Sequence, residues 1–104
     1  DEELNQFLSK KLISLSKFTI TKPAILRKEI LEARATGVAI NYKEHREEWC
    51  GISAAVKDRA DRTVAYLNVT LPSFNVSKEK LKSLTPILTS AAQEVSAMFN
   101  KGAF

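Results

Sequence analysis

Most of the residues that catalysis and metal binding depend on are scarce in these 104 positions, which hold one cysteine and one histidine. A single cysteine cannot close an internal disulfide, so a reducing compartment is permitted. One histidine and one cysteine cannot by themselves build a zinc site. There is no Gly-rich phosphate loop, no Cys-x-x-Cys, no His-Glu-x-x-His and no Gly-x-Ser-x-Gly. Those absences remove the common signatures of nucleotide, redox, metalloprotease and serine-hydrolase chemistry. No enzyme, no cofactor and no metal are therefore expected. No apolar run approaches the roughly 20 residues that cross a bilayer. The chain opens Asp1-Glu2-Glu3, with neither a start methionine nor an apolar signal region, and reads as a fragment.

A concentrated basic surface is missing too. Sixteen Lys plus Arg against twelve Asp plus Glu give +4. Residues 1–41 carry seven basic and five acidic groups, residues 42–62 five and five, and the remainder four and two. Nucleic-acid surfaces gather their charge into a stripe. Here the signs alternate, as on solvated faces, so this chain is not expected to touch DNA or RNA directly.

What remains is ordinary for one small globular domain: 44% hydrophobic and 27% charged residues. Leu4, Phe7, Leu8 and Leu12 have helix spacing, with acids before them and lysines beside them. Residues 14–21 form a polar connector. Thr21-Lys22-Pro23 starts a second helix, whose apolar face is Ile25, Leu26, Ile30, Leu31 and Ala33 and whose stop is Gly37. Val38–Asn41 reads as a short strand, and residues 42–49 as a polar loop. Gly51–Val56 and Thr63–Leu71 form an antiparallel hairpin about a polar turn, with Val64, Tyr66, Asn68 and Thr70 on one face of the second strand. Pro72 ends it. Ser77 caps a last helix carrying Leu81, Leu84, Ile87, Leu88, Ala91, Ala92, Val95, Met98 and Phe99, which Pro86 should bend or delay. Three strands leave sheet edges open, and the helices have more apolar surface than so small a sheet can cover.

Few side chains suggest chemistry. Cys50 and His45 lack an orienting third group and read as a packing residue and a solvated loop residue. Glu44, Glu47 and Glu48 lack the turn glycine of a calcium loop. Trp49 and Cys50 could line a pocket beside the hairpin. Asn68 and Thr70 share a face, either as a wet outer surface or as the polar floor of a small-ligand pocket.

Taken in order, Thr19-Ile20-Thr21-x-Pro23-x-x-Leu26-x-x-Glu29, Leu31-Glu32-x-x-x-x-Gly37-x-Ala39, Gly51-Ile52-x-Ala54-Ala55-Val56-x-Asp58, Val64-Ala65-x-Leu67-x-Val69 and Leu84-x-x-x-Leu88-x-x-Ala91-Ala92-x-Glu94-Val95-Ser96 form a set. That set resembles the effector-binding domain of IclR-type bacterial transcription regulators. The resemblance implies an α+β, GAF-like (profilin-like) fold, an antiparallel sheet flanked by helices. Only its second half would be present in residues 1–104. A winged helix-turn-helix that binds DNA and the first strands of the sheet would lie outside the chain. It further implies a cytoplasmic homodimer or tetramer that senses a small organic or aromatic acid, with no membrane partner and with DNA contacted only through the separate domain. An oligomerisation module with no effector is the alternative.

The same resemblance assigns an effector site to Asn41, Cys50, Gly51, Asn68 and Thr70. Departures are visible. Asn41 stands where the family usually has an acidic residue, Leu71-Pro72 replaces Gly-Pro, and the Glu-rich 44–49 loop lacks the usual glycine. Loss of the carboxylate at Asn41 either eases binding of an anion or marks a pocket that has lost its ligand. Asn and Thr side chains with the Gly51 backbone N–H supply the donors such a site needs.

Overall fold

The structure, a computed structural model, describes residues 2–102. Its elements are α1 (Glu2–Leu8), α2 (Pro23–Thr36), β1 (Val38–Tyr42), β2 (Trp49–Lys57), β3 (Thr63–Pro72), α3 (Lys78–Lys82) and α4 (Thr85–Asn100). Local chemistry sets the corners. Pro23 opens α2, where a missing N–H costs nothing, and Gly37 closes it in a left-handed conformation (φ 74°) with its N–H on the Ala33 carbonyl at 2.7 Å. The chain then reverses into the antiparallel sheet β1-β2-β3.

β2 is the central strand, and its alternation decides the architecture. Cys50, Ile52, Ala54 and Val56 are buried on one face. Val38, Ile40 and Tyr42 from β1, and Leu67 and Leu71 from β3, pack beside them. Leu81 of α3 and Leu88 and Ala92 of α4 cover this face and complete the core. Burying one such side chain contributes roughly 1.5–3 kcal/mol. The other face carries Ala39 and Asn41, then Gly51, Ser53 and Ala55, then Tyr66, Asn68 and Thr70, in the rows Asn41–Gly51–Thr70 and Ala39–Ser53–Asn68.

One expectation about the helices needs refining and another is met. The last apolar stripe is divided between α3 and α4 rather than lying on one continuous helix. Pro86 has no N–H for the Lys82 carbonyl, so regular structure pauses at Ser83-Leu84 and resumes with Pro86 in the first turn of α4. The apolar face of α2 is only partly covered: Leu26, Ile30 and Ala33 are half-buried, but Ile25 and Leu31 are not. None of its residues is buried, and Ile25 and Leu31 are each 47% exposed. Beyond α1, α2 packs mainly along the edge strand β1, and a three-stranded sheet is too narrow to reach its far side.

Polar contacts fix the ends. Ser77 accepts a hydrogen bond from the Lys80 N–H at 3.0 Å, capping α3 as expected. Ser77→Ala should lower stability by about 1 kcal/mol, read as a small fall in Tm by circular dichroism. An unchanged Tm would mean that this cap is redundant. In the β2–β3 turn, Asp58 accepts from the backbone N–H groups of Ala60 and Arg62 and from Arg62 Nε, all at 2.9 Å. These bonds, the Arg62 N–H foremost, hold its carboxyl below the usual range. The same turn is tied to α4: the Lys57 N–H donates to Ser96 Oγ at 3.0 Å, and Arg59 donates to the Asn100 carbonyl at 2.9 Å.

Candidate functional site

The uncovered sheet face and the loop between β1 and β2 enclose a cleft of about 360 Å³. Asn41, Cys50, Gly51, Asn68 and Thr70 all line it, together with Ala39, Ile40, His45, Arg46, Trp49 and Ser53. The five expected residues are therefore neighbours, but they do different things.

The floor is a hydrogen-bonded chain. Ser53 Oγ donates to Asn68 Oδ1 at 2.7 Å, and Asn68 Nδ2 donates to Thr70 Oγ1 at 2.8 Å. Spacing by two along β3 puts Asn68 and Thr70 on this face, and the β2 register brings Ser53 opposite Asn68. Gly51 lies opposite Thr70. A Cβ built there would sit 3.1 Å from the Val69 carbonyl oxygen and 3.7 Å from both Asn68 Oδ1 and Thr70 Oγ1. The contribution of Gly51 is therefore open space. Its backbone lies within the central strand, whose N–H and C=O groups serve the ladders to β1 and β3, so the N–H is not the free donor expected of it.

Asn41 turns its side-chain oxygen back to accept from the Glu44 N–H at 3.0 Å, shaping the start of the loop rather than pointing along the floor. Cys50 is 2% exposed, and its side chain belongs to the core cluster on the other face. Its backbone forms part of the cleft wall.

The loop at 43–48 is held from outside. Ser16 Oγ donates to the Lys43 carbonyl at 2.6 Å, and Thr19 Oγ1 donates to the Glu44 carbonyl at 2.5 Å. At the other end Ser73 bonds the Glu47 carbonyl through Oγ (2.5 Å) and the Glu48 carbonyl through N–H (2.8 Å). The 14–21 connector is thus a brace for one wall of the cleft. Lys43, with φ 62°, lays its ammonium 5.1 Å from the Phe18 ring centre and 5.0 Å from that of Tyr42.

The acids of the loop point elsewhere. Glu44 accepts from the Tyr42 N–H at 3.2 Å and lines a separate groove among α2, β1 and α3, with Glu29, Glu32, Lys78 and Lys82. Partial burial raises its carboxyl above the usual range, with the Tyr42 bond opposing. Glu47 pairs with Lys17 at 3.4 Å. No group of three or more His, Cys, Asp or Glu side chains among the described residues is placed to hold a metal ion. Among the described residues, no helix is long and apolar enough to cross a membrane.

Comparison with known proteins decides the family. Residues 1–97 match the family described as the bacterial transcriptional regulator IclR C-terminal domain. The chain belongs to the IclR C-terminal domain family.

The HTH-type transcriptional regulator BhcR of Paracoccus denitrificans is 28% identical over 86 residues, which cover 83% of this chain and 31% of BhcR. A transcriptional regulator of Rhodococcus sp. RHA1, solved by crystallography, superimposes with a TM-score of 0.84 at 29% identity, over 97% of this chain and 42% of that one. The inducer-binding domain of PobR from Acinetobacter, solved with 3-hydroxybenzoic acid, shares the fold with a TM-score of 0.78 at 23% identity, over 92% of this chain and 57% of that one. The chain spans about a third of the BhcR sequence and under half of the Rhodococcus chain. The α+β architecture expected from the sequence, an antiparallel sheet flanked by helices, agrees with these neighbours. The IclR family consists of transcriptional regulators, not enzymes.

Among the polar cleft residues, Ser53 and Arg46 were given no role by the sequence, and His45 was read only as a solvated loop residue. Ser53 had a signal: two residues after Gly51 on the same strand, it had to share the Gly51 face. Arg46 had none, because position within an irregular loop has no period.

Proposed function

We propose that residues 1–104 form the C-terminal part of the effector domain of an IclR-type regulator and sense a small organic or aromatic acid in this cleft. The observation that carries the reading is the Ser53–Asn68–Thr70 chain, laid open beside a glycine on a sheet face that no helix covers. Polar side chains linked to one another, with apolar residues around them, are the pattern of an orienting site for a small molecule. The PobR domain lends support at the level of the fold. The name of BhcR, only 31% of which this chain covers, supports a DNA-binding winged helix-turn-helix located upstream. The free edge of β3 is where the earlier strands of the domain would add to the sheet. In this reading the regulator is a cytoplasmic homodimer or tetramer, has no membrane partner, and meets DNA only through the separate domain. Effector binding shifts a population between two packings, and about 1.4 kcal/mol of preference is a tenfold shift.

Calorimetry of the full-length regulator against a panel of small organic acids tests this. Asn68→Ala with Thr70→Ala should weaken the best ligand at least tenfold while the far-ultraviolet spectrum is kept. A ligand that binds equally well without both side chains would remove the site assignment.

One observation favours a second reading, an oligomerisation module. Ile87 (70% exposed), Met98 (48%) and Phe99 (38%) leave apolar surface on the outside of α4. Sedimentation over a concentration series separates the two, since a monodisperse monomer at high concentration counts against a module whose task is assembly.

A further inference from the structure

We propose that Arg46 is the carboxylate-binding residue of this cleft, and that the acid it selects carries a hydroxyl at its far end, received by Ser53 and Thr70. The inference rests on the effector-site reading above and names the chemistry of its ligand.

Charge sorting in the loop is the first observation. Five of the six residues from Lys43 to Glu48 are charged: three glutamates, Arg46, and Lys43, whose ammonium lies against aromatic rings. Yet no carboxylate of the described residues lines the cleft, whereas Arg46 does. Glu44 is turned to the Tyr42 N–H and the neighbouring groove, and Glu47 to Lys17. Arg46 itself has no side-chain hydrogen bond or ion pair among the described residues. Only its backbone carbonyl is engaged, by the Trp49 N–H at 3.3 Å. Arg46 is thus an exposed, unpaired lining residue of a cleft without acids among the described residues, and its guanidinium is a fork of donors matched to a planar carboxylate.

The polarity of the floor is the second observation. The Ser53 hydroxyl proton is committed to Asn68 Oδ1, and one Asn68 amide proton to Thr70 Oγ1. That leaves the Thr70 O–H to donate into the cleft and the Ser53 lone pairs to accept from it. A ligand hydroxyl both accepts and donates, so it satisfies the two together. A second carboxylate would meet the lone pairs of Ser53 with no positive charge on the floor to compensate. Ala39 and Trp49 supply apolar wall to the cleft. The arrangement therefore selects hydroxylated monocarboxylates over dicarboxylates and over the parent acid without the hydroxyl.

Four probes of nearly one shape test it on the full-length regulator by calorimetry: 3-hydroxybenzoate, 3-hydroxybenzamide, benzoate and isophthalate. The expected order has 3-hydroxybenzoate at least tenfold tighter than each of the others. Arg46→Gln should cost the acid about tenfold and leave the amide unchanged, closing the gap between them. Arg46→Lys should recover part of the loss. Arg46 is exposed, so its variants should keep the wild-type Tm. An acid that keeps its advantage over the amide in Arg46→Gln overturns the role of Arg46. Isophthalate or benzoate binding as well as 3-hydroxybenzoate overturns the hydroxyl end. If none of the four binds while another acid of the wider panel does so in an Asn68- and Thr70-dependent way, this inference fails and the effector-site reading stands. Binding that ignores Asn68 and Thr70 removes the site itself.

Discussion

Leu81→Ala should cost about 3 kcal/mol of folding stability, within the range of roughly 2–5 kcal/mol for truncating a buried leucine. Leu81 is 0% exposed and belongs to the cluster with Cys50, Ile52, Leu88 and Ala92. Few alternatives exist to fill the gap. α3 has only five residues and holds little of the core besides this side chain, so its loss also weakens the hold of α3 on β1 and β2. For a domain of this size the Tm should fall on the order of 15 °C, which differential scanning calorimetry reads directly. Ile87→Ala is the control. It sits on the same apolar stripe in the sequence but is 70% exposed, and its substitution should stay within about 0.5 kcal/mol. Equal losses at the two positions would mean that α3 and α4 pack otherwise than described.

The second large effect is on binding. On the proposed effector reading, Gly51→Val should abolish measurable binding of whichever acid the cleft accepts, a loss greater than a hundredfold. The new Cβ would press on the Val69 carbonyl at 3.1 Å, and its methyls would enter the space facing Asn68 Oδ1 and Thr70 Oγ1. Overpacking of this kind costs roughly 1–3 kcal/mol of stability, partly offset by the strand preference of valine. Gly51→Ala should be intermediate, keeping the fold and weakening binding less. Calorimetry on both variants, paired with their melting curves, separates a blocked cleft from a lost fold. Wild-type affinity in a folded Gly51→Val protein would place the ligand elsewhere.

How far the sequence could be read depended on whether each feature had a period. The αL stop at Gly37, the Ser77 cap and the antiparallel pairing of the hairpin follow from short-range rules, and the structure has them where those rules put them. Asn68 and Thr70 were placed on one face by a spacing of two, and they are on one face. The roles of Asn41 and Cys50 were less legible. Asn41 competes for its own loop backbone, a habit of Asn side chains that depends on the turn that follows. Cys50 is one residue out of phase with Gly51, so a strand must send its side chain to the opposite face. The amphipathic stripe on α2 correctly announced a helix but not its burial, since burial depends on what lies opposite, and only the narrow β1 edge does.

The bonds from Lys57 to Ser96 and from Arg59 to Asn100 give the molecule a mechanical property. They clasp the tip of the β2–β3 hairpin to the last turns of α4, at the end of the sheet away from the cleft-side Trp49 and Pro72. A hairpin is a stiff lever over nine or ten residues, and its cleft end carries Gly51 and Thr70. β2 of this hairpin also packs directly on α4, so the hairpin and the last helix are joined twice, by these bonds at the tip and by the close-packed core beneath them.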